Sequence, residues 1–174
     1  GIQALKAVWH RGAVDSDGKT GDGAGIHIEI PSDFFVQRIE NAGRRHDKGK
    51  ICVGMIFLPR NNFSSQEKCK TIVENELLSQ NYYIYRWRQV PVNTRVLGLK
   101  AESNRPEIVQ VIFKSNNLNL KDDDLERDLF LIRKKIEKQS ILLKIKDFYI
   151  SSFSSRSIIY KGMFLAESLS DFYP

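Results

Sequence analysis

The chain alternates between stretches with strand periodicity and stretches with helical periodicity. Ala4–His10 reads as a short amphipathic helix ending near Gly12. Ile26, Ile28 and Ile30 alternate with His27 and Glu29, the period of a strand with one buried face. Pro31 ends that strand, and Ser32 is placed to cap a helix starting at Asp33 and carrying Phe34, Phe35 and Ile39. Gly43–Gly49 is a polar, basic loop. Ile51–Leu58 is a nearly continuous apolar run of strand length, stopped by Pro59. Ser64 or Ser65 then stands where a cap would start a helix holding Cys69, Ile72, Val73 and Leu77. In the strand Tyr82–Trp87, Tyr83, Tyr85 and Trp87 alternate with Ile84, Arg86 and Arg88, which predicts one packed aromatic face.

Pro91–Arg95 predicts a turn, Val96–Ala101 a short helical stretch, and Pro106–Phe113 another strand. The strongest helix begins at Asp122, Asp123 and Asp124, where negative charge meets the positive end of the dipole. Asp123 and Glu126 have capping-box spacing. Leu125, Leu129, Ile132 and Ile136 recur on one face behind them. Ile145–Phe153 and Ser157–Tyr160 read as strands and Met163–Phe172 as a terminal helix. Helices and strands mix without strict alternation or a repeat, so the fold class is α+β. No linker divides the chain.

Composition narrows the picture only a little. A chain of 174 residues with 41% hydrophobic and 28% charged positions is ordinary for a globular domain. At this size a core forms without a disulfide or metal. The two cysteines suit a reducing, cytoplasmic compartment. No apolar run is long enough to span a bilayer and no signal peptide opens the chain, so no membrane partner is expected. The chain starts at Gly1 and stops at Pro174, directly after the largely apolar run Met163–Tyr173. It reads as an internal piece of something longer.

The net charge of +6 is concentrated between residues 51 and 100, which hold 7 basic and 3 acidic side chains. Arginines between aromatics can form a nucleic-acid surface. Here the period-two pattern favours a packed strand, and no nucleic-acid partner is expected.

Candidate chemistry centres on Gly21-Asp22-Gly23-Ala24-Gly25. Three glycines in five residues permit positive φ and close backbone approach. A nucleotide loop would follow a strand and precede a helix, whereas this loop follows a helix and precedes a strand. It reads as a turn forming an active-site wall. His10, His27 and His46 lie far apart with no ligand spacing, so no metal site is expected. Cys52, between Ile51 and Val53, and Cys69, on an inner helix face, read as structural thiols. No nucleophile–base pair can be assembled from these residues.

The run from Ala4 through Trp9-His10-Arg11-Gly12-Ala13-Val14-Asp15, followed by Lys19-Thr20-Gly21-Asp22-Gly23-Ala24-Gly25-Ile26-His27, closely resembles the class II glutamine amidotransferase domain of bacterial glutamate synthase large subunits. Val53-Gly54-Met55-Ile56-Phe57-Leu58-Pro59, Trp87-Arg88-Gln89-Val90-Pro91-Val92-Asn93 and Arg105-Pro106-Glu107-Ile108 extend the resemblance. Ser157-Ile158-Ile159-Tyr160-Lys161-Gly162-Met163, Leu165-Ala166-Glu167 and Phe172-Tyr173-Pro174 carry it to the end of the chain in the same order.

The resemblance implies an N-terminal-nucleophile hydrolase fold, an αββα sandwich with antiparallel sheets, incomplete in this chain. It implies a nucleophilic N-terminal Cys whose own α-amino group is the base. Ammonia freed from glutamine would pass to a synthase site that forms glutamate from 2-oxoglutarate. In such enzymes FMN and an iron–sulfur cluster serve that site, and a small subunit with FAD brings electrons from NADPH. Glutamine, the remaining domains of the same chain and that small subunit are the implied partners. No cofactor is expected within these residues.

The Cys segment should precede Gly1, and the glutamine-binding part should follow Pro174. Residues 1–174 are thus expected to be a partial amidotransferase domain, inactive by itself. Arg11, Gly12, Asp22 and Gly23 would remain as an active-site wall, or Arg11 would simply tie its helix to the loop. The alternative function is a non-catalytic, amidotransferase-like scaffold for regulation or interaction.

Overall fold

The computed structural model describes residues 1–7 and 12–174. The expected end of the first helix at His10, and Arg11 beside it, lie outside the described residues. In chain order come α1 (Ile2–Ala7), β1 (Ala24–Glu29), α2 (Ser32–Glu40) and β2 (Cys52–Leu58). Next are α3 (Phe63–Ser79), β3 (Tyr82–Gln89), a 3-10 turn at Thr94–Val96, α4 (Leu99–Ser103) and β4 (Glu107–Ser115). The last elements are α5 (Asp122–Leu142), β5 (Tyr149–Ser154), β6 (Ser157–Gly162), a 3-10 turn at Ala166–Ser168 and α6 (Leu169–Phe172). This is the expected α+β class. The chain forms two compact units, Gly1–Ile28 with Val90–Arg105 and Ile159–Pro174, and Glu29–Gln89 with Pro106–Ile158. Neither is continuous in sequence, which is why no linker marks them.

The second unit is built on a four-stranded sheet in the order β3-β4-β2-β5, with every neighbouring pair antiparallel. Its central strands are apolar on both faces, and Val53, Met55, Ile56, Val111 and Ile112 have no exposed surface. Helices α3 and α5 cover one face. Cys69, Val73 and Leu77 from the first, and Leu125, Leu129, Ile132 and Ile136 from the second, join Cys52, Ile56, Leu58, Val111 and Phe113 in one core. Burial of each large apolar side chain stabilises by about 1.5–3 kcal/mol. Gly54 has no Cβ because one would lie 2.7 Å from both the Phe153 ring and Val111. That gap lets Phe153 lie across the strand.

Tertiary contacts change several local expectations. A register shift between Ile84 and Arg86 leaves Tyr85 as an extra residue in β3. Trp87 therefore joins Tyr82 and Ile84 on the helix side, whereas Tyr83 and Tyr85 meet each other at 5.1 Å, and the expected shared aromatic face does not exist. The arginines of this strand bond within the fold. Arg86 donates to the Arg38 carbonyl at 2.9 Å and Arg88 to Gln110 Oε1 at 2.9 Å.

The helix caps also differ. Asn62, rather than Ser64 or Ser65, caps α3, its side chain accepting from the Ser65 amide at 2.9 Å. Ser32 is already helical, with Pro31 at the cap position. Glu126 makes no capping box, because its carboxylate accepts from Ser154 Oγ and from the amide and hydroxyl of Ser155. Strand β5 starts at Tyr149 instead of Ile145. The expected Met163–Phe172 helix shrinks to a 3-10 turn and the single turn of α6.

In the first unit β1 pairs with β6 as a two-stranded sheet. Ala24, Ile26 and Ile28 are half-buried and Gly25 and His27 exposed, so the alternation holds but its inner face is only partly covered. Phe164 and Phe172 are buried, their rings 5.0 Å apart. Helix α1 buries no residue. Among the described residues no helix is long and apolar enough to cross a membrane.

Candidate functional site

Residues 12–23 fold into a small hairpin whose backbone bonds to itself. The Asp22 amide donates to Ala13 at 3.2 Å and the Asp15 amide to Thr20 at 2.9 Å, closing the turn around Gly18 at φ 69°. Asp17 accepts from the amides of Lys19 and Thr20 and, at 2.6 Å, from the Thr20 hydroxyl. The Thr20 hydroxyl and these amides hold the Asp17 carboxyl well below the usual carboxylate range. Lys100 lies 2.8 Å from Asp15, and this hydrogen bond lowers the Asp15 pKa and raises that of Lys100.

Glycine is required twice along this arm. A Cβ at Gly21 would stand 2.7 Å from the Phe164 carbonyl oxygen, and Gly23 has φ 129°. The backbone thus passes directly against the segment after β6. Between the two lies a cavity of about 480 Å³. Gly12, Asp22 and Gly23 line one side, Phe164 to Glu167 the other, and Leu5 of α1 also contributes. Three of the four wall residues expected from sequence are therefore together, and Arg11 is outside the described residues.

The described lining contains two carboxylates, Asp22 and Glu167, but no cysteine, serine, histidine or lysine. Such a surface can bind a small polar molecule, and it supplies no nucleophile. Cavities of about 380 and 580 Å³ in the other unit show that size alone does not single this one out. Its glycine-built wall does.

Burial settles the role of the cysteines. Neither thiol is exposed, and burial pushes Cys69 up to about 11 and Cys52 higher still. Among the described residues no three His, Cys, Asp or Glu side chains are grouped to hold a metal ion.

Sequence reasoning missed the Phe164–Glu167 side of the cavity because it assigned those residues to a helix. The aromatic spacing of Tyr160, Phe164, Phe172 and Tyr173 was the available signal, since these rings cluster at 4.7–6.3 Å. It also missed Asp17 and Thr20, because the Thr20 hydroxyl meets the amide of Ala101, which is remote in sequence.

Comparison with known proteins covers the whole chain. Residues 1–174 match the family described as glutamine amidotransferases class-II. The chain is 56% identical over 174 residues to the glutamate synthase [NADPH] large chain of Azospirillum brasilense, covering 100% of this chain and 11% of that protein. It is 41% identical to the ferredoxin-dependent glutamate synthase of Pyropia yezoensis, over 99% of this chain and 11% of that protein. For the ferredoxin-dependent glutamate synthase 1 of Arabidopsis thaliana the identity is 38%, over 98% of this chain and 10% of that protein. The chain thus spans about a tenth of the length of these relatives.

Proposed function

Because the chain belongs to the class II glutamine amidotransferases, we propose that it is part of the ammonia-producing domain of a glutamate synthase. The whole enzyme converts glutamine, 2-oxoglutarate and a reductant into two molecules of glutamate. The 56% identity to the Azospirillum brasilense large chain carries this reading.

Amide hydrolysis by this class needs an activated thiol. Cys52 and Cys69 are buried and protonated at neutral pH, so neither can attack. The nucleophile is a cysteine outside these 174 residues, with its own α-amino group as base, and the glutamine-binding part likewise lies elsewhere in the protein. Gly12, Asp22 and Gly23 contribute a wall of the glutamine site, whose two described carboxylates suit the cationic α-amino group of an amino acid.

The higher identity to the NADPH enzyme than to the ferredoxin-dependent ones favours NADPH as electron source, delivered by an FAD-containing small subunit in the cytoplasm. The described residues do not fit an iron–sulfur cluster, since both cysteines are sequestered in the core and no three ligands are grouped. The cluster and FMN belong to other domains of the whole enzyme.

The test uses the full-length protein. It should release ammonia from glutamine, and an electrophilic glutamine analogue should label a cysteine other than Cys52 or Cys69. Residues 1–174 alone should release none. Labelling of either internal cysteine, or turnover by the isolated chain, overturns the nucleophile assignment. Failure of the full-length protein to hydrolyse glutamine overturns the enzymatic reading in favour of a non-catalytic scaffold.

A further inference from the structure

Helix α4 starts without a cap of its own. Its N-cap residue is Gly98, which has no side chain to offer the unpaired amides of the first turn. The Thr20 hydroxyl takes that place, accepting from the Ala101 amide, third in the helix, at 3.4 Å and across 81 positions of sequence. Thr20 is 2% exposed, although it lies on a surface hairpin. Its own proton goes to Asp17 Oδ2 at 2.6 Å, which leaves the hydroxyl oxygen turned towards the helix as an acceptor.

Gly98 is tied to the same joint. A Cβ there would lie 2.2 Å from Asp17 Oδ2 and 2.3 Å from Thr20 Oγ1, so only glycine lets the helix start seat on this pair. Immediately beyond Thr20, Gly21 packs against the Phe164 carbonyl and Asp22 and Gly23 enter the cavity. Only Gly21 therefore separates the buried anchor from the cavity wall.

We propose that Thr20, oriented by Asp17, is a positioning residue that caps α4 in trans and thereby fixes where the hairpin presents Asp22 and Gly23 to the cavity. This rests on the reading of that cavity as part of the glutamine site. Side-chain caps of this kind stabilise a helix start enough for their loss to be measurable.

The test compares Thr20→Val, Thr20→Ser and Gly98→Ala in the full-length protein, by hydrogen exchange at residues 12–23 and by steady-state glutamine hydrolysis. Val removes the hydroxyl, Ser keeps it, and Gly98→Ala disturbs the joint from the α4 side without substituting any hairpin residue. Thr20→Val and Gly98→Ala should each speed exchange about tenfold and raise KM for glutamine about tenfold, with kcat within about twofold. Thr20→Ser should restore both readouts to within about twofold of the parent. Unchanged exchange in Thr20→Val overturns the cap. Faster exchange with an unchanged KM, or a fall in kcat alone as lost folded enzyme would produce, overturns the positioning role. Should the parent protein not hydrolyse glutamine, the functional reading fails. Exchange then decides the anchor by itself, faster in Thr20→Val upholding it and unchanged overturning it.

Discussion

At the scale of single residues, burial decides reactivity. Cys52 and Cys69 are chemically alike until the sheet and α3 close over them, and desolvation then favours the neutral thiol. The native chain at pH 8 should give no reaction with a soluble thiol reagent within minutes, and two thiols per chain should react after denaturation. Fast labelling of either in the native state would contradict the burial. The apolar neighbours Ile51 and Val53 made the fate of Cys52 legible in the sequence. Nothing around Thr20 did the same, because its partner is the amide of Ala101, 81 positions away.

At the scale of elements, periodicity read the helices and strands well and their ends poorly. Leu125, Leu129, Ile132 and Ile136 all reach the core as their spacing requires. Caps depend on which of several adjacent polar side chains wins an amide, and the run Asn61-Asn62-Phe63-Ser64-Ser65 offers four. Asn62 wins at α3. Asn62→Ala should therefore destabilise by about 1 kcal/mol, lowering the melting temperature by about 2–4 °C. Ser64→Ala, which removes no cap bond, should leave it nearly unchanged, and equal effects would show that Asn62 is not the cap. The bulge at Tyr85 was illegible for a related reason. An extra residue in one strand is defined by the register of its neighbour β4, which the strand's own alternation does not encode.

Over the whole molecule, several carboxylates are held ionised by remote lysines. Lys114 donates to Asp47 at 2.7 Å and lowers its pKa from the ordinary 3.8 to about 2. Lys100 acts likewise on Asp15 and Lys50 on Asp122. A depressed folded-state pKa contributes stability that is present above the unfolded value and lost as pH falls through the folded one. Thermal stability should therefore decline as pH drops from 4 towards 2, and Asp47→Asn should show a smaller decline. An equal decline in the variant would remove Asp47 from the acid transition.

What the sequence by itself determined was the set of elements, the α+β class, the structural character of both thiols and the likeness to class II amidotransferases. These follow from local spacing and from motifs that keep their order along the chain. Tertiary structure alone decided the split into two discontinuous units, the caps and the bulge. It also brought the Phe164–Glu167 segment to the glycine-rich wall and tied Thr20 to α4. The α3 cap is a local choice among adjacent polar side chains, settled by which of them reaches the Ser65 amide. The others depend on groups far apart in sequence, satisfied by whichever donor, acceptor or apolar surface the fold brings within reach.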